Sequence, residues 1–399
     1  MKRFLSAFTA LLSFSLLMAS VAPLEGDSLL VATNEVSMSD SIPVFNKAPK
    51  WAKDWLNSLI RGHIDRTRER RLDLSFAVTP SYTREAGFGI GGAATGLYRL
   101  NRLDSITPPS DVFASLNASI NGFFVLTIKG NTIFRNDKSR LSYKLESYIK
   151  ALDFWGIRSA DCDINHKSSY TRRQIDLQSE YVMRLPKNFF IGLQTRFDYT
   201  DARNVKAPDY FLGERPQYFT TGIGALIEWD SRDNILTPTR GAHFAFKPMV
   251  YPAFLGNSNT TAYSYNFIAN AYISIGRHST VAFDLYAKSN SSRIPWTLRE
   301  QLASDGVRMR GYYMGRYIDC NQLTFQTEYR QHIYKRFGAV AWGGVGSVFD
   351  RPKNFKNAQW LYNFGFGLRF EFKHNVNARI DYGFGKHTSG ILFAIGEAF

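Results

Sequence analysis

The chain is poor in cysteine, with two among 399 residues, and this excludes a small fold stapled by several disulfides. It also lacks long apolar runs. Beyond the N-terminus no uninterrupted apolar stretch reaches about 18 residues, and the mean hydropathy is -0.24, so a polytopic helical membrane protein is excluded. Acids are scarce: 34 Asp and Glu stand against 49 Lys and Arg, for a formal net charge of +15. Such a surplus prompts a search for a nucleic-acid partner. No homeodomain, zinc-finger, RNP or KH signature supports one, and the basic residues are spread along the whole chain, so no nucleic acid is expected. Gly-x-Ser-x-Gly, His-Glu-x-x-His, P-loop and Cys-x-x-Cys patterns are absent as well, so no enzyme, metal or cofactor chemistry is expected. Aromatic side chains are what the chain has in quantity, 15% of it with 32 Phe and 21 Tyr. Disordered chains are poor in these.

Lys2 and Arg3 precede an apolar stretch from Phe4 to Met18 that closes on Ala19, Ser20, Val21 and Ala22. This pattern predicts a secretory signal peptide over 1–22. Residues 23–71 form a periplasmic lead. Within it Trp51, Trp55, Leu56, Leu59, Ile60 and Ile64 fall at helical spacing, which predicts one short amphipathic helix over about 49–65. That helix either packs in or under a barrel mouth or lies at a membrane surface, and Arg66, Arg68, Arg70 and Arg71 after it read equally well as a solvated linker.

From residue 72 to 399 the period changes from 3.6 to 2. In 323–334, Leu323, Phe325, Thr327, Tyr329 and Ile333 share one face, and Thr324, Gln326, Glu328, Arg330 and His332 share the other. In 362–373, Tyr362, Phe364, Phe366, Leu368, Phe370 and Phe372 oppose Asn363, Gly365, Gly367, Arg369, Glu371 and Lys373. A soluble sandwich alternates too. Segment length separates the two cases: roughly 9 to 12 residues suits a tilted membrane strand, whereas soluble strands run to about 5 or 6. About sixteen such segments are present, and closure of an even-numbered antiparallel sheet satisfies every backbone group in lipid. The expected fold is therefore all-β, a transmembrane antiparallel β-barrel in contact with outer-membrane lipid. With the N-terminus in the periplasm, the connections near 151–170, 200–217 and 289–321 become long external loops, and those after Met183, Ile275, Tyr334 and Phe372 become short inner turns. The turns near Arg102 and Asp233 break that trend.

Several residues carry more specific expectations. Phe393, Ile395, Gly396 and Phe399 form a closing strand ending on an aromatic, the kind of ending that barrel-assembly machinery recognises. Cys162 and Cys320 both fall in external loops of an oxidising compartment, where a disulfide would brace the outer mouth. Asp230 and Asp233 could imitate a calcium loop, although turn capping suits them better. A barrel phospholipase could still assemble Ser, His and Asn from different strands, with His332 facing inward and Ser347 on the next strand, although a polar lumen residue suits His332 better.

Arg308, Met309, Arg310, Gly311 and Tyr312 resemble the Val-Arg-Gly-Phe/Tyr signature of the bacterial surface antigen family, the BamA/TamA-like outer-membrane barrels. The turn that carries Asp230, Arg232 and Asp233 and runs through Pro238 to Gly241 is similar to that family's Asp-rich turn. The resemblance covers about 72–399 and implies that the signature loop folds into the lumen. Arg310 would then meet an inward acid, with Glu328 as its partner and with Gly311 and Tyr312 beside it. Gly344 stands where members often carry a further Asp. Only about 49 residues separate Ala22 from Leu72, too few for a POTRA module of about 75, so the chain resembles short barrel-only members and any client capture would need a separate periplasmic partner. The family implies moving or inserting protein or lipid through a gated lumen or a lateral seam. A passive channel or structural surface barrel is the alternative.

Overall fold

A computed structural model describes residues 69, 71–83, 87–101, 103–104, 107, 109–161, 165–234, 237–373, 376–395 and 397–399. The expected signal peptide, the expected lead up to residue 68 with its predicted helix, Cys162 and Gly396 lie outside the described residues. The remainder is strand-rich: β1 (Asp73–Thr83), β2 (Gly87–Tyr98), β3 (Ser110–Ser119), β4 (Phe124–Ile133), β5 (Ser139–Phe154), β6 (Ser168–Leu185), β7 (Phe189–Arg203), β8 (Gln217–Asp230) and β9 (Gly241–Tyr251). The order continues with β10 (Ala262–Ile275), β11 (Ser279–Asn290), the two-residue strands β12 (Glu300–Gln301) and β13 (Ile318–Asp319), β14 (Asn321–Tyr334), β15 (Phe337–Phe349), β16 (Leu361–Lys373), β17 (Val376–Gly385) and β18 (Thr388–Ile395). All except β12 and β13 join one sixteen-stranded sheet in which every strand pairs antiparallel with the next. Among the described residues no ladder joins β1 to β18.

Alternation determines which side of the sheet each residue occupies. On β14, Phe325, Tyr329 and Ile333 are exposed while Thr324, Gln326 and Glu328 are completely buried. On β16, Tyr362, Phe364, Phe366 and Leu368 are exposed while Asn363 and Arg369 are buried. Exposed Leu, Ile, Phe and Tyr recur on the same side of β6, β7, β8, β9 and β10, forming an apolar belt far larger than a soluble surface tolerates. The buried side is mostly polar. This is a membrane-spanning arrangement with a filled interior.

Several strands exceed the expected 9 to 12 residues. β5, β6 and β7 have 16, 18 and 15 residues. Their extra length carries Leu152, Phe154, Tyr170 and Ala202 into a cluster with Phe211, Tyr218 and Trp296. The ladder persists past the membrane belt because those residues bury apolar surface there. The connections near 151–170 and 200–217 are correspondingly shorter, spanning 155–167 and 204–216. At the near end, where β1 begins, turns 186–188, 276–278 and 335–336 are tight, and positive φ at Lys187, Asn188, Gly276 and Lys335 reverses the chain. The near-end turns 99–109 and 231–240 are longer. The longest connection, 291–320, belongs to the far end and folds inward.

Candidate functional site

The inward loop is rooted by the β12–β13 ladder and by the Leu302 amide donating to Tyr317 O at 3.0 Å. Below that root the chain turns at Asp305, whose Oδ1 accepts the amides of Val307 and Arg308 at 2.8 and 2.9 Å. The short Asx reversal aims residues 308–312 at the barrel wall. At Gly311 φ is +104, and an added Cβ would lie 2.6 Å from the Gly383 backbone. Only glycine permits both that conformation and that approach. Gly383 and Gly385 on β17 leave room in turn for Arg310 O and for the Tyr312 ring. The Tyr312 hydroxyl donates to Tyr362 O and accepts from the Lys386 amide, each at 2.8 Å, and Thr388 Oγ1 donates to Gly311 O at 3.0 Å. Loop and wall are thus fitted backbone to backbone.

Charge completes the fit. Arg310 donates from Nη2 to Glu328 Oε2 and from Nη1 to Asp381 Oδ2, both at 2.7 Å, with its side chain 1% exposed. Its guanidinium lies 3.7 Å from the ring centroid of Trp342, which stands directly opposite Glu328 in the β14–β15 register. Arg308 makes a second fork onto Asp284 at 2.7 and 2.8 Å and stacks over Tyr286 at 4.4 Å. The Met309 amide between them donates to Gln326 Oε1 at 3.0 Å. Buried charges are tolerable only when they are paired and hydrogen-bonded, and planar guanidinium forks satisfy carboxylates efficiently.

The network continues down the wall. Arg330 Nε donates to Glu328 at 2.9 Å, and Arg369 donates to Asp381 at 2.6 Å and to Glu397 at 2.7 Å. Arg379 reaches Asp381 at 3.3 Å. Arg330 also donates to Pro238 O at 3.2 Å and to Phe399 O at 2.6 Å, so the Asp-rich turn and the last residue meet the network through one guanidinium. Toward the far end, Trp296 packs under Tyr170 and Phe211, and Arg172 donates to Thr297 O at 3.1 Å. The Ser159 hydroxyl donates to Asp319 at 2.7 Å. These contacts cap the lumen.

The residues read from sequence fall into three groups. Arg310, Gly311, Tyr312 and Glu328 converge, whereas Asp381, Asp284 and Trp342 were missed. Asp381 and Asp284 are the carboxylates on the inward registers of β17 and β11, so alternation alone could have found them. Trp342 is an aromatic on the polar face, and that violation of the pattern was its signal. Gly344, standing at the expected acid position, is packed against Asn363 and Gln326. The second carboxylate comes from β17.

The turn residues form a separate local unit. Asp230 accepts the Arg232 amide at 3.0 Å and its guanidinium at 2.6 and 2.9 Å. Asp233 accepts amides of Asn234, Thr239 and Arg240 and the Thr239 hydroxyl. Burial raises the pKa of Asp233, but those hydrogen bonds outweigh it and hold the carboxyl below its ordinary value. An added Cβ at Gly241, where φ is +96, would collide with Ser231 O. Glu228, Asp230 and His243 lie close enough to hold a metal ion, yet Arg232 occupies both Asp230 oxygens and His243 Nε2 meets Glu228 at 2.6 Å. The cluster is already closed by the Asp230–Arg232 ion pair and the His243–Glu228 hydrogen bond.

The remaining residues separate. Cys320 is a free thiol buried with Tyr251, Ala262, Ile294 and Leu298. Apolar packing holds this stretch, and Cys162, the other member of the expected disulfide, lies outside the described residues. Phe393 and Ile395 are on β18, but nothing is described of their side chains. Ser347 pairs with Leu323 and His332 with Gly338, which sets them roughly 30 Å apart at about 3.4 Å per residue. His332 Nε2 meets Lys335 O at 2.6 Å and its ring stacks on His278, so the two residues form no catalytic pair.

No protein-family model and no curated protein sequence matches this chain. Solved structures do. The BamA of Haemophilus ducreyi lacking POTRA domains 1-3 superposes with a TM-score of 0.55 at 9% identity, over 81% of this chain and 70% of that one. The CdiB of Escherichia coli superposes with a TM-score of 0.53 at 10% identity, over 82% of this chain and 62% of that one. The chain has the fold of a BamA-like outer-membrane barrel.

Proposed function

We propose that this BamA-like barrel resides in the outer membrane after export on the 1–22 signal peptide, and that it moves or inserts protein or lipid through a lumen gated by the 291–320 loop. One observation carries the reading: Arg310 is clamped between Glu328 and Asp381 at 2.7 Å each. A loop that merely decorated the surface would have no reason to bury a guanidinium at the barrel wall. The same clamp could release toward the seam between β1 and β18, which no described ladder closes. Barrel-assembly machinery inserts the chain, and a separate periplasmic partner presents the client. No hydrolytic step belongs to this reading.

Conductance of the purified full chain in planar bilayers tests it. A gated barrel stays closed with rare, brief openings. Steady anion-selective current from the unaltered protein would replace it with the passive channel. Phospholipid turnover that His332→Ala abolishes would replace it with an enzyme.

A further inference from the structure

At the near end the lumen widens into a cavity of about 700 Å³. Arg240, Arg277 and Arg336 reach it from three turns, 231–240, 276–278 and 335–336. The carboxylates on its wall are engaged elsewhere. Asp233 is consumed by its own turn, with the Thr239 and Arg240 amides at 2.9 and 3.2 Å. Glu397 accepts Arg369 Nε and Asn377 Nδ2, each at 2.7 Å, and Glu371 has a partner of its own. The guanidiniums are less completely used. Arg240 Nε donates to Ser274 Oγ at 3.2 Å. Arg336 Nη1, on a residue that lines the cavity, is buried without a hydrogen-bond partner. A buried guanidinium nitrogen without an acceptor carries a desolvation cost that a bound anion would remove.

We infer that this vestibule binds a phosphate-bearing ligand. Its chemistry is that of a phosphomonoester or phosphodiester, supplied either as free phosphate or as a phospholipid headgroup. A planar carboxylate is satisfied by one guanidinium fork, whereas a tetrahedral phosphate presents oxygens in several directions. Arginines arriving from three turns match the second geometry. His278 and His332, stacked with ring centroids 5.6 Å apart on the same rim, add imidazole rings and no carboxylate. This inference does not depend on the gating reading, since the vestibule lies beneath the loop clamp and uses none of residues 308–312.

The test is calorimetric titration of the detergent-solubilised full chain with inorganic phosphate, repeated with short-chain phosphatidylglycerol. The variants are Arg277→Gln with Arg336→Gln, and separately Arg240→Gln. Lys353→Gln with Lys356→Gln, at the far end, is the charge control. Heat-modifiable gel mobility establishes that each is folded, and if the double variant does not fold, Arg240→Gln carries the test. Binding that weakens at least tenfold in the vestibule variants and not in the control supports the inference. Tighter binding of phosphatidylglycerol than of phosphate identifies the headgroup as the source, and the reverse identifies the free ion. Absence of binding by the unaltered chain, or equal loss in the Lys353 and Lys356 control, overturns it.

Discussion

Replacing Arg310 with Met removes a guanidinium while keeping a long side chain in its slot. Breaking one side of a buried ion pair costs about 3–5 kcal/mol, mostly from the charge left behind. Here the charges left behind keep partners: Glu328 retains Arg330 at 2.9 Å and Asp381 retains Arg369 at 2.6 Å. The lower figure, about 3 kcal/mol, is therefore expected, and loss of the stacking over Trp342, worth up to about 2 kcal/mol when desolvated, is part of that sum. At about 1.4 kcal/mol per decade the undocked population rises roughly a hundredfold. The loop is not set loose, because Arg308 still holds Asp284 in a fork. Openings should be more frequent yet remain transient.

The network itself sharpens the test. Arg310, Arg330, Arg369 and Arg379 face Glu328, Asp381 and Glu397, so losing Arg310 leaves three cations against three anions. The wall becomes balanced and barrel unfolding should change little. Opening frequency in planar bilayers and protease cleavage near Asp305 should rise together while heat-modifiable mobility persists. Arg310→Lys, which keeps a charge but has no fork to span two acids, should fall between. A folded Arg310→Met protein as closed as the unaltered chain would refute the gating role of the clamp.

Gly311→Ala should open the loop as well, because the added methyl meets Gly383 at 2.6 Å and the residue is held at φ +104; overpacking of this kind costs about 1–3 kcal/mol, read in the same bilayer assay. Asp233 has a carboxyl held below its ordinary 3.8, so it stabilises the fold above that value, and the contribution fades as pH falls through the lower folded-state value. Asp233→Asn should therefore melt below the unaltered protein at neutral pH, with the gap closing in acid; a gap that widens in acid would contradict the capping account. The Cys320 thiol is pushed up to about 11 by burial. In a Cys162→Ser background it should resist maleimide at neutral pH and react only after unfolding, and rapid native labelling would contradict its packing.

Local periodicity made the barrel legible. Each of the sixteen segments read from alternation has a counterpart in the sheet, because a one-residue slip would turn Glu328 and Arg330 into lipid and Phe325 and Tyr329 into the lumen. Strand ends were less visible. The extensions of β5, β6 and β7 are stabilised by Trp296 and Phe211, which come from other connections, and no window along one strand contains them. The site was half legible for the same reason. The motif around Arg310 and the inward register of Glu328 lie in neighbouring sequence, whereas Asp381 is three barrel strands further on and becomes a partner only once the wall curves. The packing around Cys320 was not legible either, because Tyr251, Ala262, Ile294 and Leu298 come from other strands and connections.

Why the loop is held by charge follows from what surrounds it. An apolar loop tip could dock against many positions of a lumen wall, since hydrophobic contact is non-directional. Two guanidinium forks, on Asp284 and on Glu328 with Asp381, accept one register, and the Gly311 to Gly383 contact removes the alternatives one residue away. The clamp also reaches beyond the loop: Glu328 is shared with Arg330, and Arg330 holds both Pro238 O and Phe399 O. Displacing Arg310 therefore changes the charge environment of the residue that ties the β8–β9 turn to the end of the chain. A double-mutant cycle between Arg310→Met and Arg330→Met measures that link. Coupling of about 0.5–3 kcal/mol is expected for groups sharing one carboxylate, and strict additivity would show that loop and chain end respond independently.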